Sequence, residues 1–184
     1  VLFRSNLLGG VPQHLSKAKH DLIQAVHRPN ATPAEILTSE VFPLADACKF
    51  LARRGRQLLA PSSHSWRHAA LWMGQIRVRT AREPWGTILV LGPSNYPLFL
   101  PGVQALQALA AGNAVVIKPA PQGEKVLQIL KQCLVDAEIP GDLLQILPSG
   151  VEYGQAAMRL GVDKVVLTGS RSEEHTSELQ SHSD

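Results

Sequence analysis

The chain has no apolar run near the ~20 residues of a membrane helix, and it has only two cysteines, Cys48 and Cys133. The first absence argues against a membrane partner. The second excludes a disulfide-stapled fold. The two cysteines show neither metal-ligand spacing nor a redox pairing, and both fall on apolar faces of predicted helices. A reduced, cytoplasmic protein is therefore the expectation. Leu7 and Leu8 pass at once into Gly9-Gly10 and a polar helix, so no signal peptide is read. Aromatic residues make up 5% of the chain. Arg53, Arg54, Arg56, Arg67, Arg77, Arg79 and Arg82 supply most of the positive excess without an interleaved aromatic platform. They are read as solvated faces, not as a nucleic-acid surface. His64 and His68 have no Asp, Glu or Cys companions, so they are read as part of a solvated loop from Pro61 to His68 and no metal site is expected. The dinucleotide fingerprint G-x-G-x-x-G occurs nowhere.

What remains is a chain of 184 residues, 45% hydrophobic and 18% charged, enough for one globular domain with a sizeable core. The two ends differ in character from the rest. Residues 171–184 have no periodicity and read like a translated sequencing adapter. The codons AGA TCG GAA GAG CAC encode Arg171 to His175, and their reverse complement, GTG CTC TTC CGA TCT, encodes Val1 to Ser5. One oligonucleotide read on opposite strands thus accounts for 1–5 and 171–184, which are set apart from the fold reasoning. Without Arg4, Arg171, Glu173, Glu174, Glu178 and Asp184 the formal charge rises from +3 to +5.

Along 6–170, residues 12–27 read as a helix buried through Leu15, Leu22 and Val26. Thr32 is a candidate N-cap with Pro33 at the first helical position. Leu44, Cys48, Leu51, Gly55 and Leu58 mark an amphipathic helix from about 43 to 60. Residues 76–80 alternate apolar and basic, as a half-exposed strand does. From there short apolar strands alternate with helices: strand 87–91, helix 97–111, strand 114–117, helix 122–137, strand 143–147, helix 152–160 and strand 164–167. Val126, Leu130, Cys133 and Ala137 share one face of the second of these helices. The alternation predicts an α/β fold, with a parallel sheet and leading helices.

Two strands of that sheet end on polar groups. Strand 87–91 runs into Gly92-Pro93-Ser94-Asn95-Tyr96-Pro97, and strand 114–117 ends on Lys118-Pro119. Open α/β sheets bind ligands outside the carboxyl ends of their strands, which makes this a candidate nucleotide site. A side-chain amide at Asn95 could donate to charge developing on a substrate oxygen, or could merely suit a turn between prolines. Lys118 could reach nucleotide hydroxyls or phosphates, or could cap an edge. Gly150 and Gly154 permit close backbone approach. Gly169-Ser170 follows the fourth strand, where a phosphate-binding helix N-terminus would begin.

Taken together, Arg82-Glu83-Pro84-Trp85-Gly86, the Gly92–Pro97 loop, Ala110-Ala111-Gly112-Asn113, Val116-Ile117-Lys118-Pro119 and Val162-Asp163-Lys164 through Leu167-Thr168-Gly169-Ser170 resemble the amino-terminal half of an aldehyde dehydrogenase. The likeness is strong from about 75 to 170 and compatible from 6 to 74. It implies a Rossmann-like, incomplete aldehyde dehydrogenase fold: a helical part over 6–74 and an NAD(P)-binding domain over 75–170 with one oligomerisation strand at 76–80. It implies Asn95 as the oxyanion donor and Lys118 as the adenosine-ribose anchor. Ser94, Gly150 and Gly154 would lie near the cofactor, and Gly169 and Ser170 would open the loop to the pyrophosphate. The implied reaction is oxidation of an aldehyde through a cysteine thioester, with NAD or NADP as the acceptor. The implied parent is a homodimer or homotetramer.

The pattern departs from the family twice. Ala120-Pro121 stands where the family often has Ser-Glu, so the carboxylate that favours NAD over NADP is missing. No residue of the chain matches the family's nucleophilic cysteine or general-base glutamate, and the chain alone is expected to be inactive. It is also expected to be poorly soluble or to dimerise if expressed alone. Two other readings share these strands: a nucleotide-binding module without catalysis, and an acyl-CoA or acyl-phosphate reductase of the same superfamily.

Overall fold

The computed structural model describes residues 2–64, 72 and 78–168. The chain opens with short helices: α1 (Leu2–Leu7), α2 (Val11–Lys17), α3 (Lys19–Ala25) and α4 (Pro33–Ile36). The single helix read over 12–27 is two helices, because Ala18 leaves helical geometry at φ −83°, ψ 6°. Its inward residues are nonetheless those anticipated, with Leu15, Leu22 and Val26 all buried. Thr32 is the N-cap of α4 in a full capping box: its Oγ1 accepts from the Glu35 N–H at 3.2 Å, and Glu35 Oε2 accepts from the Thr32 N–H at 2.7 Å.

A π-helical turn, Leu37–Val41, joins α4 to α5 (Phe42–Leu59). Such turns insert a residue into a helix and re-aim the side chains around them. Leu44, Cys48, Leu51 and Gly55 of α5 are buried as their spacing predicts. Leu58 is not: it is 51% exposed and borders an open groove with Phe50, Ser62 and Arg82.

Strands β1 (Ser62–His64) and β2 (Val78–Thr80) pair antiparallel, Ser63 opposite Arg79. The loop read from Pro61 thus begins as a strand. Its partner holds it there, since Ser-Ser-His carries no strand pattern of its own. The strand read over 76–80 is seen at 78–80, with all three residues exposed; 76 and 77 lie outside the described residues, as do Arg67, His68 and Arg77. The exposed Arg53, Arg54, Arg56, Arg79 and Arg82 agree with the reading of solvated faces.

The remaining elements are β3 (Thr87–Leu91), α6 (Phe99–Ala110), β4 (Ala114–Lys118), α7 (Glu124–Asp136), β5 (Leu144–Ile146), α8 (Val151–Arg159) and β6 (Lys164–Leu167). The four strands form one parallel sheet in the order β5-β4-β3-β6. Strand 143–147 is shorter than read, because Gly141–Leu143 forms a 3-10 turn. Central β3 and β4 bury Leu89, Val90, Val115 and Ile117, as expected where helices cover a parallel sheet. Val126, Leu130, Cys133 and Ala137 of α7 and its cap are buried together. The leading helices share this core: Leu8, Val11, Leu15, Leu22 and Leu44 belong to the same cluster as Leu106, Leu109, Leu127 and Leu130. Gly102 of α6 admits the close crossing, since a Cβ there would meet Leu44 at 3.0 Å and Leu130 at 3.2 Å.

Two buried or bridging polar residues set the strand register. Asn113, 2% exposed, accepts through Oδ1 from the Gly86 N–H at 3.1 Å and donates through Nδ2 to Ala108 O at 3.0 Å. Asp163 Oδ2 accepts from the Thr87 N–H at 2.7 Å, and the Asp163 N–H donates to Thr87 O at 2.9 Å. The Gly-Asn and Val-Asp-Lys motifs thus pin the start of β3 from both sides. No described helix is long and apolar enough to cross a membrane.

Candidate functional site

The carboxyl ends of β3, β4 and β6 lie side by side, with Leu91 opposite Lys118 on one side and Leu167 on the other. Beyond β3 the Gly92 N–H donates to Lys118 O at 2.9 Å, so the loop carrying Ser94 and Asn95 leaves the sheet directly over the end of β4. On the other side Thr168 N–H reaches Leu91 O at 3.5 Å, and Gln104 of α6 donates to the Thr168 hydroxyl. Gly169 and Ser170 lie outside the described residues.

Lys118 is half-buried. Its stem lies on α8, where a Cβ at Gly154 would sit 3.6 Å from Lys118 Cγ and 3.5 Å from Leu91 Cδ2. Gly154 therefore lets the helix pass close to the strand ends and supports the aliphatic part of Lys118. Gly150 is the N-cap of α8, in ordinary extended geometry at φ −60°, ψ 144°, and no side chain caps the helix. A Cβ there would collide with the Glu152 carboxylate.

Asn95 and Ser94 are exposed and line an open cleft of about 470 Å³ with Arg28, Pro97, Gln122 and Gly123. Asn95 Oδ1 accepts from the Tyr96 N–H at 3.0 Å. That contact leaves the Nδ2 donor without a protein partner among the described residues. Lys118, Gly150 and Gly154 do not line this cleft; Lys118 and Gly154 pack together where α8 passes the ends of β3 and β4. The Asn95 loop and Lys118 thus both stand at the carboxyl ends of β3 and β4, one offering an amide donor and the other a lysine beside Gly154. That donor set suits a ligand with hydroxyl or phosphate groups and a separate polar reacting centre.

The anchor behind the Asn95 loop lies outside every motif read from the sequence. Glu40, in the π turn, is fully buried at 0% exposure. Its Oε2 accepts from the N–H groups of Leu98 and Phe99, at 2.8 and 3.3 Å, at the start of α6. Its Oε1 faces Arg28 Nη1 at 3.5 Å, an ion pair without hydrogen-bond geometry. The same Arg28 nitrogen donates to Ser39 Oγ at 2.8 Å, and the guanidinium stands 4.6 Å from the centre of the Tyr96 ring. Burial pushes the Glu40 carboxyl above its ordinary value, while the Leu98 and Phe99 amides and Arg28 pull it back. A lone glutamate between Leu37, Val41 and Leu44 was the available signal, but its partner lies 58 residues on in sequence.

Neither cysteine is suited to nucleophilic work. Burial pushes the Cys48 thiol up to about 12 and the Cys133 thiol up to about 11, so neither is a thiolate near neutrality. No cluster of three metal-ligating side chains occurs among the described residues.

Comparison with known proteins bears on this arrangement. The family model described as "Aldehyde dehydrogenase family" matches residues 2–176. The N-succinylglutamate 5-semialdehyde dehydrogenase of Novosphingobium aromaticivorans is 44% identical over 89 residues, 48% of this chain and 19% of that protein. The 4,4'-diapolycopene-4,4'-dial dehydrogenase of Cytobacillus firmus is 31% identical over 153 residues, 80% of this chain and 32% of that protein. Among solved structures, an NAD+ complex of an aldehyde dehydrogenase from Bacillus cereus superposes with a TM-score of 0.80 at 21% identity, over 98% of this chain and 36% of that one. The chain thus spans about a fifth to a third of the length of these relatives. A match over nearly the whole of its length, joined to a parallel sheet of this order, places the chain in the aldehyde dehydrogenase family.

Proposed function

We propose that the chain is the amino-terminal part of an NAD(P)+-dependent aldehyde dehydrogenase, with a helical segment over 6–74, a cofactor-binding segment over 75–170, and adapter-derived residues at 1–5 and 171–184. The observation that carries the reading is the shared end of the sheet, where the loop that carries Asn95 leaves β3 bonded to the backbone of Lys118, the last residue of β4. The overall reaction converts an aldehyde, water and NAD(P)+ to a carboxylic acid, NAD(P)H and a proton. Asn95 Nδ2 donates to the oxygen that gains negative charge when a thiolate adds to the aldehyde carbon. The thiolate comes from a cysteine outside this chain, since Cys48 and Cys133 are buried and held as thiols.

The cofactor fits the residues present. Lys118, steadied on Gly154, holds ribose hydroxyls, and Gly150 with the uncapped start of α8 allows close approach of the adenosine. Ser94 would lie near the cofactor, and Gly169 and Ser170, outside the described residues, would open the loop to its pyrophosphate. When bound, NAD(P)+ supplies the hydride acceptor. The enzyme is read as cytoplasmic and as a homodimer or homotetramer. The exposed β1–β2 ribbon supports the oligomer, since all three residues of β2 are exposed and the two-stranded ribbon has no third strand among the described residues.

The test is made on the whole enzyme. Lys118→Ala should weaken NAD(P)+ about tenfold, the size of one charged hydrogen bond, and leave kcat for bound substrate within about threefold. Titration by protein fluorescence measures the first and steady-state kinetics the second. Unchanged affinity would sink the assignment of Lys118. A requirement for coenzyme A or phosphate as thioester acceptor would move the protein to the reductase branch. Gly154→Val should weaken the cofactor too, because its methyls enter the space of Leu91 and the Lys118 stem, and the loss should be seen in the same titration.

A further inference from the structure

Three groups beside the proposed oxyanion donor have no part in the chemistry above: Glu40, Arg28 and Tyr96. We propose that the buried Glu40 carboxylate, held by Arg28, is a positioning residue that fixes Asn95 for catalysis; the proposal rests on the reading of Asn95 as the oxyanion donor.

The loop from Gly92 to Leu98 is fastened at both ends. At its start Gly92 N–H binds Lys118 O, and at its end Glu40 Oε2 takes the N–H groups of Leu98 and Phe99. Between these points the loop has one further hold. Arg28, paired to Glu40, stacks on the ring of Tyr96, and the Tyr96 N–H binds Asn95 Oδ1. Asn95 is thus linked to Glu40 by two routes, one through the first turn of α6 and one through Tyr96 and Arg28. The second route decides which way the amide is turned, because it holds the oxygen and leaves the nitrogen to donate.

Capping alone does not call for this arrangement. A serine at the Leu98 position would offer the helix start a local acceptor without bringing a charge into the core. Instead the helix start has no side-chain cap of its own. The acceptor is delivered from the π turn at 37–41, where the inserted residue sets Glu40 among the buried residues of the leading helices. A donor aimed at a developing charge must hold its place within about half an ångström, and a displacement of about 1 Å costs on the order of a hundredfold in rate. A rigid, buried and doubly bonded carboxylate meets that demand on an otherwise exposed loop.

The test compares variants of the whole enzyme, with kcat counted per folded active site as titrated by NAD(P)+. Glu40→Asp keeps the charge but draws the carboxylate back by one methylene. It should lower kcat about 10- to 100-fold, leave the affinity for NAD(P)+ within about threefold, and speed amide exchange at Leu98 and Phe99. Glu40→Gln keeps an acceptor for both N–H groups but loses the ion pair with Arg28, so its kcat should fall between that of Glu40→Asp and the original. Tyr96→Leu removes the stacking surface without touching a buried charge. It should lower kcat about 5- to 10-fold, which keeps the proposal open to test should Glu40→Asp fail to fold. Asn95→Ala is the reference. If it is slow while Glu40→Asp and Tyr96→Leu keep full kcat per folded site, the positioning role is overturned and the oxyanion reading stands. If Asn95→Ala itself keeps full kcat, both fall.

Discussion

Asn95→Ala in the whole enzyme is expected to lower kcat by about 10² to 10³, or roughly 3 to 4 kcal/mol of transition-state stabilisation. The size follows from where the amide stands. It sits just past a strand end, on a loop held at both sides, with its oxygen engaged by the Tyr96 N–H and its nitrogen without a protein partner among the described residues. A donor fixed before the reaction need not reorganise as charge develops, and in a closed site it acts in a low dielectric. The ground-state aldehyde, with little charge on its oxygen, gains less from it. The loss should therefore fall on kcat, and the affinity for NAD(P)+ should hold. Steady-state kinetics over a range of aldehyde concentrations, with a separate cofactor titration, makes the distinction. A loss under about fivefold, or one confined to KM, would count against the role.

The second large effect is on stability. Arg28→Ala is expected to cost about 3 kcal/mol near neutral pH, because it strands a fully buried carboxylate. The pH dependence tests the cause. Desolvation, the largest influence, raises the Glu40 carboxyl above its ordinary value of 4.5. A group whose folded pKa is raised gives its full contribution to stability below the unfolded value and loses it as pH rises through the folded one. Loss of Arg28 removes an influence that lowers this pKa, so it rises further. The deficit of Arg28→Ala should thus be largest near pH 7.5 and shrink toward pH 5 as Glu40 takes up its proton. Urea unfolding at the two pH values measures it. An equal deficit at both would assign the loss to the stacking on Tyr96 and the hydrogen bond to Ser39 instead.

Much of the architecture could be read from residue patterns. Strands 87–91 and 164–167 keep the limits read from their residues, β3 buried between two neighbours and β6 at the sheet edge with Lys164 and Val165 exposed. The α7 face of Val126, Leu130 and Cys133, and the capping box at Thr32 and Glu35, depend on residues three or four apart, which a single helix brings together. Reading failed where distant chain decides the outcome. Ser62–His64 becomes a strand through pairing with Val78–Thr80, and Leu58, though on the apolar spacing of α5, lies exposed on an open groove. Ala18 breaks a helix that local propensity would have continued, and helix-forming alanine gives no sign of it.

The candidate site divides in the same way. By itself the sequence determined the alternation of strands and helices, and with it which residues end the strands: Asn95 just past β3, Lys118 at the end of β4, Gly150 and Gly154 after β5. These follow from short-range periodicity, where burial of apolar side chains every second or every third to fourth residue dictates the element. Only the tertiary structure decided that Gly154 supports the Lys118 stem, that Asn113 and Asp163 pin the head of β3, and that Glu40 and Arg28 hold the Asn95 loop from behind. Most of those contacts join residues 27 to 76 positions apart, and a hydrogen bond between them leaves no period in the sequence. Their partners are chosen by how whole helices pack across the sheet.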